Sequence, residues 1–397
     1  MVHQTMSTSS TSASKASSRI SSMNYFPVLA AIVGMLAGCS SVRLDEAPAP
    51  APPVAAPAAP STVPLPSAIT QGKSRWQPVA WSALPGFNDD ALHEAWNAWL
   101  KSCERPGPAF AALCPQVRQL SIATAAEQRA WMLQALQPYR VEPLQGSADG
   151  LLTAYYEPLL DASRRQSASN GVPLYGLPAG YGQKKPWYSR QEIDTLPEAR
   201  AALRGREIAW MADPLDALAL QIQGSGRMRI SEADGSVRTV RLAFAGSNDH
   251  PYRSVGGWLL QQGALRDASW QGIKAWAQQN PQRVNEMLWS NPRTVFFREE
   301  PLSELDAGFG PRGAQGVALT PGRSIAVDKD SIPYGTPVWL ASPGPVLGLQ
   351  RLVLAQDTGS AITGAVRADY FVGWGPQAGE LAGRLKQSLQ LWVLWPR

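Results

Sequence analysis

Three aspartates in the last third of this 397-residue chain are the side chains best placed by type and setting to do chemistry. Asp328 stands in Ala326-Val327-Asp328-Lys329, Asp357 in Ala355-Gln356-Asp357-Thr358-Gly359, and Asp369 in Arg367-Ala368-Asp369-Tyr370-Phe371. Each falls at or near the end of a β-type run, and Asp is depleted inside strands. A single such residue reads as a turn aspartate bonding its own backbone. Three of them, with Gly359 and Gly373 leaving room for close backbone approach and Tyr370, Phe371 and Trp374 adjacent, read as a carbohydrate cleft. Carboxylates in pairs are the usual means of cutting a glycosidic bond, one protonating the leaving oxygen and the other attacking or activating water.

Other chemistries find less support. The three histidines (His3, His93, His250) are scattered and form no ligand-spaced cluster, so no metal and no cofactor is expected. Dense basic runs with interleaved aromatics are absent, which argues against nucleic acid. Fifteen Trp supply sugar-stacking faces or simply core.

The elements that position the aspartates alternate in texture. Asp89 or Asp90 is placed to cap a helix whose apolar positions run Leu92, Ala95, Trp96, Trp99 and Leu100. Thr124 and Glu127 form a capping-box pattern ahead of Trp131, Leu133 and Leu136. Short β-type runs follow at 151–156, 217–223 and 237–244, then helices at 256–265 and 270–279, with Pro281 opening another turn of helix. The last hundred residues read as strands at 294–297, 324–327, 337–341, 349–355, 366–372 and 389–395, with one helix from 376 to about 387. The class is mainly β with helices, and many short strands between Gly and Pro turns suggest a barrel. The order α, β, α, β also fits a β domain inserted into a larger one that resumes near residue 246.

The N-terminus carries an address. Residues 1–22 are rich in Ser and Thr, with Lys15 and Arg19 and no acid. An apolar run then ends at Leu36-Ala37-Gly38-Cys39, the pattern of a secretory signal. It is too short for a membrane-spanning helix, which needs about 20 apolar residues. Translation starts at Met1 or Met23. Residues 39–74 read as an anchor and tether, almost wholly Ala, Pro and Val from 47 to 66 and hence extended. Loss of residues 1–38 takes the formal charge from +5 to +3, a mild basicity that suits an anionic wall polymer and equally suits nothing in particular. Cys103 and Cys114 suit either a disulfide in an oxidising compartment or two buried thiols.

At this point a resemblance becomes specific. Cys39 after Leu-Ala-Gly resembles the lipobox of bacterial lipoproteins, in which that thiol is lipidated. Ser40 in place of an aspartate then implies sorting to the periplasmic face of the outer membrane. The segments Leu152-Thr153-Ala154-Tyr155-Tyr156-Glu157-Pro158, Gln221-Ile222-Gln223-Gly224-Ser225-Gly226 and Ala245-Gly246-Ser247-Asn248-Asp249-His250-Pro251-Tyr252-Arg253-Ser254 join Asn291-Pro292, Val295-Phe296-Phe297 and the three aspartates. Together they resemble the membrane-bound lytic transglycosylase A family over roughly 75–395. Ala154 departs from the usual glycine.

The resemblance implies a double-psi β-barrel (75–155 and 246–397) with a second β-barrel inserted at 156–245 and the glycan lying between them. It implies a peptidoglycan exotransglycosylase with Asp369 as the catalytic acid and base, Asp357 beside it and Asp328 mainly structural. Gln223, Gly224 and Ser225 would hydrogen-bond the sugar chain, and Tyr155 and Tyr156 would line the groove. Partners would be the glycan strand, the membrane through Cys39, and cell-wall synthesis or remodelling complexes, with the chain itself a monomer. A non-catalytic wall binder and a hydrolase in which Asp357 activates water remain the alternatives.

Overall fold

The structure is a computed structural model and describes residues 64–397. The signal segment, Cys39 and the tether up to residue 63 lie outside the described residues. A hairpin, β1 (Ile69–Gln71) and β2 (Ser74–Pro78), precedes α1 (Leu92–Ser102), α2 (Cys114–Gln119) and α3 (Ala125–Ala135). Strands β3 (Leu136–Pro143) and β4 (Gly150–Glu157) lead into β5 (Leu159–Ser163), β6 (Val172–Tyr175), α4 (Arg190–Thr195), α5 (Pro197–Leu203) and β7 (Glu207–Met211). Next come α6 (Pro214–Gln223), β8 (Gly226–Ser231), β9 (Val237–Ser247), α7 (Val255–Gln261), α8 (Trp270–Gln279), α9 (Val284–Trp289) and β10 (Val295–Pro301). The chain closes with α10 (Glu304–Ala307), β11 (Ser324–Val327), β12 (Pro337–Ser342), β13 (Leu349–Asp357), β14 (Arg367–Trp374), α11 (Gly375–Arg384) and β15 (Lys386–Pro396).

Two sheets result. In the first, β15-β12-β13-β11-β14-β4 run side by side, and β4 pairs back onto β15, making the sheet a barrel. The long β15 makes this possible by dividing its length. Residues 386–389 pair with β4, its middle with β12 and its end with β3, which carries β2 and β1 as an outer flap. Alternation decides what each face buries. Val338, Leu340, Val353 and Ala355 fill the barrel with Ile325, Val327 and Leu391, whereas Trp339, Leu352, Leu354 and Trp392 point outward. That outer face is covered by Leu92, Ala95, Trp96 and Trp99 of α1, so these strands are apolar on both faces.

The capping box of α3 is formed, Thr124 Oγ1 accepting from Glu127 N and Glu127 accepting from Thr124 N. At α1 the expected cap is absent. Ala91 is the N-cap, and Asp90 instead takes Arg323 through two bonds of 2.9 Å while accepting from Leu352 N. An arginine buried against the barrel recruits the carboxylate that would otherwise cap the helix. Cys103 and Cys114 are joined in a disulfide that ties the end of α1 to the start of α2 inside the outer core.

In the second sheet the order is β10-β9-β8-β5-β7-β6. All six strands feed one core, Leu174, Met211, Met228, Ile230, Leu242 and Phe297 among its members, plugged by Ala217 and Leu220 of α6. Residues 217–223 are therefore helix, not strand. Asp213 caps Leu215 N at 2.8 Å, Pro214 occupies the first turn, and Gly224 at φ +81° ends the helix in the left-handed region. The return to the barrel also comes later than residue 246. That position lies inside β9, and β10 pairs with β9 from Val295↔Ser247 to Pro301↔Val240. Helices α7–α9 pack on Leu215 and Leu218 of α6. The insert thus runs on to about residue 301, because β9 finds its edge partner downstream.

One ionic cluster fastens insert to barrel. Glu157, at the end of β4 and wholly buried, accepts from Arg227 Nε at 2.8 Å and from Arg241 Nε at 2.5 Å. Both arginines also donate to Phe309 O in the returning segment, and Arg227 lies 3.9 Å from the Trp374 ring centre. Among the described residues no helix is long and apolar enough to cross a membrane.

Candidate active site

Strand register assembles the site. β14 lies between β4, which runs parallel to it, and β11, which runs antiparallel. This sets Asp369 opposite Thr153 on one side and Ala326 on the other. Ala326 also pairs with Asp357, past a register shift between Ile325 and Ala326. A small residue thus stands between the two aspartates and brings both carboxylates to one rim of the barrel. They line a cleft of about 250 Å³ whose other wall is the insert: Arg190, Gln221, Ile222, Gln223, Tyr252, Asn291, Arg293 and Val295.

Asp369 is held by a chain of two hydrogen bonds. Arg367 Nη2 donates to Thr153 Oγ1 at 2.8 Å. A guanidinium only donates, so Thr153 accepts there and gives its single proton to Asp369 Oδ1. One carboxyl oxygen is thereby fixed and the other left for the cleft. Desolvation raises the Asp369 pKa from its ordinary value, opposed by the Thr153 hydrogen bond and the Arg367 charge. Burial likewise pushes Asp357 up to about 6, against bonds from Thr358 N, Ala314 N and the Tyr155 hydroxyl, with the like charge of Asp369 adding to the rise. Tyr155 donates to Asp357 Oδ2 at 2.9 Å and Ala314 N to Oδ1 at 2.9 Å.

Asp328 stands apart from this pair and off the cleft wall. It is buried, accepting from Gly364 N at 2.8 Å and from Asp330 N at 3.1 Å and pairing with Lys73 Nζ at 3.0 Å. Burial pushes its carboxyl up, yet these donors hold it below the ordinary range. It ties the β1–β2 turn and the loop before β14 to the end of β11.

The other sequence-derived candidates divide. Tyr155 and Gln223 line the cleft. Gln223 Oε1 accepts from Tyr156 N at 3.1 Å, linking α6 to β4 across the domain junction. The Tyr156 ring packs against Gly379 of α11, where an added Cβ would come within 2.9 Å of it. Gly224 ends α6, and Ser225 is buried just before β8; neither is on the cleft wall. Ala154 keeps an ordinary strand conformation, since Asp249 is the non-glycine residue with positive φ among those described. Sequence reasoning passed over Thr153, Arg367 and Gln221, although they sit within the runs that carried the resemblance. Arg190 and Arg293 gave no local signal.

A barrel and an insert face each other across a cleft with two half-buried carboxylates on one rim, an arrangement that suits a glycan-cutting enzyme. Comparison with known proteins identifies the family. The family model described as MltA specific insert domain matches residues 151–298, and that of the 3D domain matches 323–395. Membrane-bound lytic murein transglycosylase A of Escherichia coli is 31% identical over 270 residues, 65% of this chain and 69% of that one. The crystal structure of MltA from Neisseria gonorrhoeae superposes with a TM-score of 0.70 at 29% identity, covering 84% of this chain and 95% of that one. The lytic transglycosylase LtgG of Burkholderia pseudomallei is 43% identical, with a TM-score of 0.55, over 84% of this chain and 100% of that one. The chain belongs to the membrane-bound lytic murein transglycosylase A family. It is a lytic transglycosylase of peptidoglycan, a lyase-type enzyme.

Proposed function

We propose that this cleft cuts the β-1,4 bond between N-acetylmuramic acid and N-acetylglucosamine, with Asp369 acting first as acid and then as base. The observation that carries the reading is the Arg367–Thr153–Asp369 chain, which fixes one oxygen of a carboxyl that burial favours in the protonated form. Protonated Asp369 gives its proton to the glycosidic oxygen as the C1–O4 bond breaks. The resulting carboxylate takes the proton of the muramic 6-hydroxyl as O6 closes on C1. The acid is restored, and the product ends in a 1,6-anhydro ring. Intramolecular attack suits a single acid, because well-aligned internal nucleophiles reach effective molarities of about 10⁵ M or more.

Asp357 in the same cleft supports the competing reading, hydrolysis with Asp357 activating water. Cleavage of purified wall in ¹⁸O-labelled water separates the two. Closure by the 6-hydroxyl leaves the products unlabelled and about 18 Da lighter than hydrolytic fragments. Reducing ends carrying ¹⁸O in proportion to turnover would overturn the transglycosylase mechanism for this site.

The relatives are named membrane-bound, and lipidated Cys39 on the periplasmic face of the outer membrane is the anchor that suits the sequence. Cys39→Ala should abolish incorporation of labelled fatty acid and leave the protein in the soluble or unprocessed fraction. Equal labelling of wild type and variant excludes Cys39 as the anchor.

A further inference from the structure

The insert wall of the cleft holds two cations, Arg190 and Arg293, that form no ion pair with a carboxylate among the described residues. Arg190, in the first turn of α4, donates from Nε to Asn291 O at 3.1 Å. Its Nη2 donates to Gln221 Oε1 at 2.8 Å and to Arg293 O at 2.5 Å. Those three bonds lock the guanidinium plane and occupy Nε and Nη2. The two N–H groups of Nη1 have no acceptor among the described residues. Arg293 gives one side-chain bond, from Nη1 to His250 O at 3.2 Å. The neighbouring acids bond directly to other groups, Asp194 accepting from Trp289 Nε1 at 2.7 Å and Asp249 pairing with Lys185 at 3.4 Å, and attract the two arginines only at longer range.

Several other sheltered arginines pair directly with carboxylates: Arg227 and Arg241 with Glu157, Arg323 with Asp90, Arg164 with Glu232 and Glu299. Desolvation lowers the pKa of both insert arginines, Arg190 to about 10, outweighing the longer-range attraction of Asp194 and Asp249. A charge held this way favours an incoming anion: Arg293 keeps its Nε–Nη2 edge for two parallel bonds to a carboxylate, and Arg190 adds a bond from Nη1.

We propose that Arg190 and Arg293 form a carboxylate site for the lactyl branch of muramic acid. The proposal rests on the reading of this cleft as the glycan-cutting site and names what orients the strand within it. Of the two alternating sugars, muramic acid alone bears an acid. In a strand stripped of peptide this is the lactyl carboxylate itself, and in an intact strand it is a carboxylate of the stem.

The test compares three tetrasaccharides of the wall: stem-bearing, stripped with the lactyl carboxylate free, and stripped with that carboxylate converted to a neutral amide. Wild type should cut at least one charged form with kcat/KM about 10- to 100-fold above the neutral form, the range of a charge-assisted bidentate contact. Whichever charged form is preferred identifies the source of the acid. Arg293→Gln should bring that ratio to within about threefold of unity, chiefly through KM, while Arg293→Lys keeps part of it. Arg190→Gln should do the same; because it also gives up three internal bonds, Arg293→Gln is the deciding variant. Equal cutting of charged and neutral forms by wild type, or equal losses on both in Arg293→Gln, overturns the proposal. Anhydro ends on every product keep this outcome distinct from failure of the transglycosylase mechanism.

Discussion

Asp369→Asn should lower turnover by about 10²–10⁴, the range for losing a general acid–base group, while the fold and glycan binding persist. Asparagine keeps the shape and still accepts from Thr153, but it has no carboxylic proton to give to the leaving oxygen. Asp328→Asn is the contrasting variant. Its partners are Lys73, Gly364 N and Asp330 N, off the cleft, so the loss should appear in stability with turnover little changed. Turnover near wild type in Asp369→Asn, with Asp357→Asn inactive, would reverse the two roles.

The same chemistry sets a pH dependence. The acid must start protonated, so activity is lost as pH rises through the raised pKa of folded Asp369. Stability follows in the same direction for Asp357. Between its ordinary value of 3.8 and about 6, the folded chain holds a proton that the unfolded chain has released. Stability therefore falls as pH rises through that window, and Asp357→Asn should flatten the slope.

Glu157→Leu should cost about 3–5 kcal/mol of stability, the usual penalty for removing one member of a buried ionic cluster. The leucine leaves Arg227 and Arg241 buried with only Phe309 O and, for Arg227, the Trp374 face to meet them. Asp161 provides the control. It takes Arg229 through two bonds of 2.7 Å in open solvent, and Asp161→Ala should cost at most about 1 kcal/mol. Denaturant titrations of the two variants test the difference. A Glu157→Leu loss no larger than that of Asp161→Ala would mean that the cluster does not hold insert and barrel together.

How much of this the sequence determined varies with the range of the interaction involved. The aspartates were legible because acids at strand ends among glycines and aromatics are unusual in type. The capping box of α3 was legible because Thr124 and Glu127 satisfy each other within one turn. Helix α6 was misread because Ala217-Leu218-Ala219-Leu220-Gln221-Ile222-Gln223 alternates with a period of two, although Asp213-Pro214 and Gly224 mark the ends of a helix. Asp90 as a cap failed for another reason: a buried arginine 233 residues away competes for the same carboxylate.

The late return from the insert, the closure of β15 onto β4 and the meeting of Asp357 with Asp369 across Ala326 are matters of register. Register depends on which strands become neighbours, and no local spacing encodes that. The same holds for Arg190 and Arg293, which only the fold brings to one cleft wall without a directly bonded acid. The sequence by itself determined which groups are able to do the chemistry. The tertiary structure decided which of them share a cleft, because backbone pairing and desolvation act between residues brought together only by folding.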